Sequence, residues 1–294
     1  MLDLARLRLL RELARRGTMT AVAEALGQTS SAVSQQLAIL EREARTPLLE
    51  RIGRRVRLTA EGQRLAVHAE TVMQAVEAAE LDLSTAREVP RGELEVATFP
   101  SFAKARLLPA VARLRERFPE LTVTIREEEP IDSLPAVRDG RRDLAIDFAY
   151  SLTPRGDTAG LVTFPILEEP VLLAVPADRA AEGPAALAAF AEADWIVGSR
   201  QSDDHRLAER ACALAGFSPR IVHTIDDYDL MLRMVAAGLG VGFAPAMVFA
   251  FSGAEGVAAR PVAGPALSRR IQAVTRPTLA ASARVKALIE ALND

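Results

Sequence analysis

Four arginines, Arg51, Arg54, Arg55 and Arg57, crowd around Gly53 in the segment LERIGRRVRLT. They alternate with Ile52, Val56 and Leu58, the pattern of a two-stranded wing. Guanidinium groups on such a wing can neutralise phosphates and hold a neighbouring element in register on a duplex. A solvated charge run is the plain alternative. Upstream lies a second polar set, Thr29, Ser30, Ser31, Ser34 and Gln35. Ser and Gln both donate and accept, so on a helix face they can read base edges, while the helix N-terminus favours a phosphate. A merely hydrated helix face is the plain alternative here.

Periodicity supplies the elements that would hold these groups. Leu7, Leu10 and Ala14 recur at helical spacing, with Leu9 and Leu13 widening the stripe. Thr20 is expected to cap a second helix over 21–26, and Gly27 suits the left-handed residue after its end. A third helix begins at Thr29 or Ser30. Val33, Leu37 and Leu40 fall on its inner face; Ser31, Ser34, Gln35, Ala38 and Arg42 fall on the outer one. Two helices around a glycine turn, then a basic hairpin, are expected to form a small all-α unit with a β wing that faces the major groove.

A longer helix is expected over 60–86, with Thr59 as cap and Glu61 in the first turn. Leu65, Ala69, Val72, Val76, Ala79 and Leu83 follow a four-three spacing, a heptad seam of nearly three repeats. Such a seam suits a partner helix, although it can also pack on its own domain. From Val89-Pro90-Arg91-Gly92 onward, apolar strands alternate with helices. Strands are expected at 94–99, 121–129, 143–148, 171–176, 195–199, 220–226 and 270–275, with a last helix near 281–292. This succession argues for an α/β architecture with mostly parallel sheets.

Charge and composition agree with two unlike halves. The chain of 294 residues has a net charge of −3, yet residues 1–65 hold 12 arginines against 7 carboxylates. Positive charge is thus concentrated where contact with nucleic acid is expected, and the remainder is acidic. The single cysteine, Cys212, excludes an internal disulfide. The arginine-rich N-terminus does not read as a secretory signal, and no apolar run reaches spanning length, so a cytoplasmic location without membrane contact is expected.

The segments TAVAEALGQTSSAVSQQLAILE and LLERIGRRVRLTAEG, with the long helix after them, resemble the winged helix-turn-helix of LysR-type transcriptional regulators. The similarity runs over essentially the whole chain. Two positions depart from the usual pattern: Ser30, where Gln or Pro is common, and Leu49, where Phe is common. The resemblance implies a DNA-binding unit over 1–59, a coiled-coil dimerisation helix over 60–88 and an effector-binding domain over 93–294. That domain would have a periplasmic-binding-protein-like fold of two subdomains, about 93–162 plus 267–294 and about 163–266. It also implies a homodimer or homotetramer on double-stranded promoter DNA, with the transcription machinery as a further partner.

Ligands of open α/β folds lie at the carboxyl ends of strands. The expected effector-binding residues are therefore Thr98, Ser101 and Phe102 after the first strand, Glu129 after the second and Asp147 after the third. Ser199, Arg200 and Phe243 would form the facing edge. Arg200 and helix amides suit a carboxylate, whereas Glu129 and Asp147 suit an amine, so an organic acid or an amino-acid-like effector is expected. GLGVG at 238–242 is a helix-to-strand turn rather than a nucleotide loop, and Asp203, Asp204 and His205 are too close in sequence to surround a metal. No catalytic residue, cofactor or metal is expected. The rival readings are a solute-binding protein with an N-terminal extension and an enzyme using the same cleft.

Overall fold

The computed structural model describes residues 1–294 except 53–54, 85–88, 154–155, 201, 254 and 265; for 51, 52, 55, 74, 77, 78 and 80–84 the backbone alone is described. Asp3 caps α1 (Leu4–Arg16) by accepting from the Arg6 amide at 3.1 Å. Thr18, rather than Thr20, caps α2 (Met19–Ala25), accepting from the Ala21 amide at 3.2 Å. Gly17 at φ 76° already closes α1, so Thr18 is the first extended residue from which a new helix can start. Gly27 at φ 62° makes the next turn, and Thr29 caps α3 (Ser30–Ala44) through the Ala32 amide at 3.2 Å. Leu10, Val22, Val33, Leu37 and Leu40 meet in the core of this head.

The wing is an antiparallel hairpin of β1 (Leu49–Ile52) and β2 (Arg55–Leu58), paired from Leu49↔Leu58 to Ile52↔Arg55. Arg54 lies outside the described residues, as do the side chains of Arg51 and Arg55; Arg57 is exposed. The hydroxyl of Thr59 accepts from the Gly62 amide at 3.0 Å and opens α4 (Ala60–Ser84). The seam along α4 is divided. Leu65 and Ala69 pack into the head's own core, whereas Val72 and Ala79 are exposed and Val76 is half-buried. The Leu83 side chain lies outside the description. Early seam positions are thus consumed within the chain because α4 also has to roof α1.

The α/β half begins with β3 (Gly92–Thr98) and a helical run made of α5 (Pro100–Phe102), a π turn (Ala103–Leu107) and α6 (Leu108–Arg117). β4 (Leu121–Glu127), α7 (Pro130–Arg138) and β5 (Leu144–Tyr150) follow. β3 pairs in parallel with both β4 and β5. β6 (Val162–Pro176) is more than twice as long as the apolar run suggested, since Pro165, Pro170 and Glu168–Glu169 mask its first half. That half pairs with β11 (Ser268–Thr275), across a register shift at Ile271/Gln272. Its second half pairs with β9 (Gly242–Pro245) and β10 (Val257–Arg260). All three pairings are antiparallel, so the sheet is less parallel than strand-helix alternation implies. β6 passes from the first subdomain into the second, while β11 stays beside its first half and β5.

The second subdomain adds β7 (Asp194–Val197), α8 (Asp203–Leu214), β8 (Arg220–Thr224), α9 (Tyr228–Ala236) and α10 (Ala246–Ser252). Chain end α11 (Pro277–Ala280) and α12 (Ala283–Asn293) return to the first. Between head and α/β half, Arg15 at the end of α1 donates to the Gly140 carbonyl at 2.5 Å, and its other guanidinium edge belongs to Glu12. Glu12 is buried at the end of α1 yet holds Arg11 and Arg16 at 2.7 and 2.8 Å. Burial raises its pKa, but the hydrogen bonds of Arg16 and Arg11 outweigh that and hold it below the usual carboxylate range.

Candidate effector cleft and nucleic-acid interface

The outer face of α3 carries Ser31, Ser34, Gln35, Ala38 and Arg42, all exposed, opposite the buried Val33, Leu37 and Leu40, and Ser30 is exposed in its first turn. The Thr29 hydroxyl oxygen accepts from the Ala32 amide as the cap, and its O–H can still donate to a phosphate. Helical periodicity alone places these groups, which explains why they were legible without a fold.

In the α/β half, a cavity of about 250 Å³ lies where β3, β4 and β5 end against α8 and α9. Its floor is aromatic. Phe99 and Phe148 meet edge to face at 4.7 Å, and Phe148 meets Tyr150 at 5.4 Å. Arg269 of β11 lies over Phe99 with its guanidinium carbon 5.1 Å from the ring centre. Only 1% of Arg269 is exposed, and its charge is matched by Glu169, reached from Nε at 3.0 Å and Nη2 at 2.7 Å. A third bond runs from Nη1 to the Ser101 hydroxyl at 3.1 Å. Glu169 accepts in addition from the Met247 amide at 2.8 Å.

Two contacts join the walls. Asp204, in the first turn of α8, accepts from the Tyr228 hydroxyl at 2.8 Å and from that of Tyr150, whose oxygen is 3.0 Å from that of Tyr228. Lys104 of the π turn pairs with Asp229 of α9. Burial raises the pKa of Asp204 against the two hydroxyl bonds that lower it. Glu129, at the cleft mouth, is raised to about 7 by withdrawal from water, then by the charges of Asp204 and Asp226, with Arg269 opposing.

The expected effector residues divide on this geometry. Ser101 and Glu129 line the cavity. Asp147 does not: side chains alternate along β5, so Phe148 and Tyr150 face the cleft and Asp147 faces the other way. There it is buried and accepts from Gln272 of the neighbouring strand at 2.8 Å. Thr98 is buried, with its hydroxyl 3.4 Å from the Phe99 carbonyl, and Phe102 is a core residue. Arg200 is exposed and outside the lining, and Ser199 gives only its amide, to Asp226 at 2.7 Å. Phe243 lines a small adjoining pocket of about 20 Å³ beside Asp204 and Tyr228.

Sequence reasoning missed Lys104, Tyr150, Asp204, Asp226, Tyr228 and Arg269. Asp204 and Asp226 do carry a signal in retrospect, since each sits within a turn of a helix start after a strand. Nothing local marks Arg269, which enters from the returning strand. Among the described residues no group of three or more His, Cys, Asp or Glu is placed to hold a metal ion, and no helix is long and apolar enough to cross a membrane.

A helix-turn-helix head with a basic wing, joined by a long helix to a two-lobed α/β domain with a lined cleft, defines a ligand-responsive DNA-binding regulator. Residues 4–63 match the family described as bacterial regulatory helix-turn-helix protein, lysR family, and residues 87–294 match the LysR substrate binding domain. The chain belongs to the LysR family of transcriptional regulators. It is 30% identical over 246 residues to a probable hydrogen peroxide-inducible genes activator of Mycobacterium avium, covering 82% of this chain and 77% of that protein. It is 27% identical over 273 residues to the transcriptional dual regulator GltC of Bacillus subtilis (strain 168), covering 92% and 89%. A full-length OxyR variant from Pseudomonas aeruginosa shares the fold, with a TM-score of 0.79 at 20% identity over 99% of this chain and 95% of that one. These domains and relatives are those of regulators and lend no support to the solute-binding or enzymatic readings.

Proposed function

We propose that this regulator reads promoter DNA through Ser30, Ser31, Ser34 and Gln35, seats itself on phosphates through Thr29 and the wing arginines, and answers to a small molecule held between its two α/β subdomains. The observation that carries the reading is the two-sided α3, whose polar outer face is open to solvent while its inner face builds the head core. Val72, Val76 and Ala79 of α4 are offered to a second copy, and two heads on one dimer suit paired half-sites. The protein would act in the cytoplasm, as dimers or tetramers.

Effector binding would favour one closure of the cleft, and Arg15 gives that closure a direct contact with the head through Gly140. The peroxide response in the names of some relatives is not carried over. Cys212 is the single cysteine, and burial pushes its thiol up to about 12, far from the thiolate that peroxide attacks.

Mobility-shift titration on fragments flanking its own gene tests the DNA half of the reading. Arg55→Ala is expected to weaken binding to all fragments and to reduce the slope of log affinity against log salt by about one unit. Gln35→Ala is expected to leave that slope alone and narrow the gap between specific and unrelated fragments about tenfold, a fair share of one base contact. Unchanged discrimination in Gln35→Ala would show that the outer face of α3 does not read bases.

A further inference from the structure

We propose that the ligand of the inter-subdomain cleft is a small organic cation, an amine or guanidine on a short apolar stem, rather than an acid. The inference rests on the cleft being the effector site. Its lining holds the carboxylates of Glu127, Glu129, Asp204, Asp226 and Asp227 against the cations Lys104 and Arg269. Both cations are already matched. Lys104 is paired with Asp229 across the cleft, and Arg269 with Glu169 beneath it. An incoming carboxylate would therefore have to displace a protein carboxylate from its cation.

Of the four helix N-termini at the cavity, the other usual seats for an anion, those of α8 and α9 are taken as well, whereas α5 and α7 have no side-chain cap. Asp203 and Asp204 occupy the first turn of α8, whose Ser202 cap accepts from the His205 amide at 3.2 Å. Asp227 caps α9 through the Leu230 amide at 2.7 Å, and Asp226 takes the Ser199 amide. The protein's own acids thus offset the positive ends of α8 and α9 beside the cavity.

What remains is excess negative charge without a direct ion pair. Glu129, Asp204 and Asp226 form none among the described residues, and the charges of Asp204 and Asp226 raise the cost of ionising Glu129. A cation lodged among them relieves that repulsion, and the low dielectric of the cleft strengthens its attraction to the carboxylates against the cost of leaving water. Phe99, Phe148 and Tyr150 offer the stem an apolar floor, with Arg269 already lying over the rings of Phe99 and Phe148. The groups that govern Glu129 are Asp203 and Asp204 of α8, Asp226 before α9 and Arg269 of β11. Binding should then release a proton from Glu129 and weaken as pH falls below about 7.

Calorimetric titration of the full chain at pH 8 with 1,4-diaminobutane and 1,5-diaminopentane, against succinate, glutarate and 1,5-pentanediol, tests the inference. The diamines are expected to bind at least tenfold more tightly than the diacids and the diol, and to raise Tm. Glu129→Gln and Asp204→Asn are each expected to weaken diamine binding about tenfold. Glu129→Gln should not lower the Tm of the free protein at pH 8, since it removes a carboxylate whose ionisation the fold opposes. Binding of the diacids or the diol with the diamines silent overturns the cationic assignment and leaves the effector cleft in place. Diamine binding indifferent to both substitutions overturns it also, because the amine then sits elsewhere. Heat from none of the five compounds removes the assignment together with the effector reading on which it rests.

Discussion

Arg269→Ala is expected to destabilise the effector-binding domain by about 3–5 kcal/mol, the usual cost of removing one partner of a buried ion pair. Arg269 and Glu169 expose 1% and 8% of their side chains. Without the guanidinium, Glu169 would keep only the Met247 amide, and its charge would stand uncompensated between β6 and β11. The loss also removes the bond to Ser101 and the cation over Phe99, so the cavity floor would slacken as the domain weakens. Urea unfolding of the full chain, followed through Trp195 in the core of the second subdomain, measures the change. The double replacement Arg269→Met with Glu169→Met should recover most of the lost stability, because two apolar side chains leave no charge behind. If the single replacement costs under about 1 kcal/mol, water or a rearranged partner satisfies Glu169 and the pair does not hold the floor together.

Gly62→Ala is expected to abolish specific DNA binding while leaving the effector-binding domain folded. A Cβ at position 62 would lie 2.1 Å from the Leu48 carbonyl oxygen and 3.0 Å from its carbon. That carbonyl cannot simply swing away. It accepts from the Thr59 amide at 3.0 Å, while the amides of Leu48 and Leu49 both donate to Glu41 at 2.8 and 2.9 Å. Moving it would break the joint that fastens α3, the wing and α4 together. Overpacking costs about 1–3 kcal/mol in a core with room to adjust, and more where the obstacle is pinned backbone. Differential scanning calorimetry should show the head's transition lowered or lost beside an unchanged effector-domain transition, with mobility shifts absent. A variant that binds its fragment normally would mean that α4 can tilt away from Leu48 at little cost.

Gly62 and Arg269 sit at opposite ends of what could be read from the residues alone. Around Gly62, nearly everything was legible. Helix periods, the Thr29 and Thr59 caps and the Gly27 turn depend on neighbours within a few residues, and the structure shifts only the start of α2, from Thr20 to Thr18. In the α/β half, apolar runs located most strands but not the first half of β6, where prolines and paired glutamates hide a strand that β11 nonetheless holds. Asp147 shows the limit sharply. Strand-end logic placed it where the third strand was expected to end, but β5 runs on to Tyr150 and the pleat turns Asp147 away from the cavity lining.

Residue order by itself determined the head, the wing's charge, the long α4 and the alternation that makes an α/β domain, because each follows from local periodicity and capping. Only the tertiary structure decided who meets in the cleft. Tyr150 reaches Asp204 and Tyr228, 54 and 78 residues further on, and Arg269 reaches Ser101 across 168. It also decided that Lys104 and Arg269 come already paired, so the sign of the cavity's field reverses what isolated arginines suggest. Charge compensation depends on distance and burial, and neither exists until the chain's crossings have brought the subdomains together.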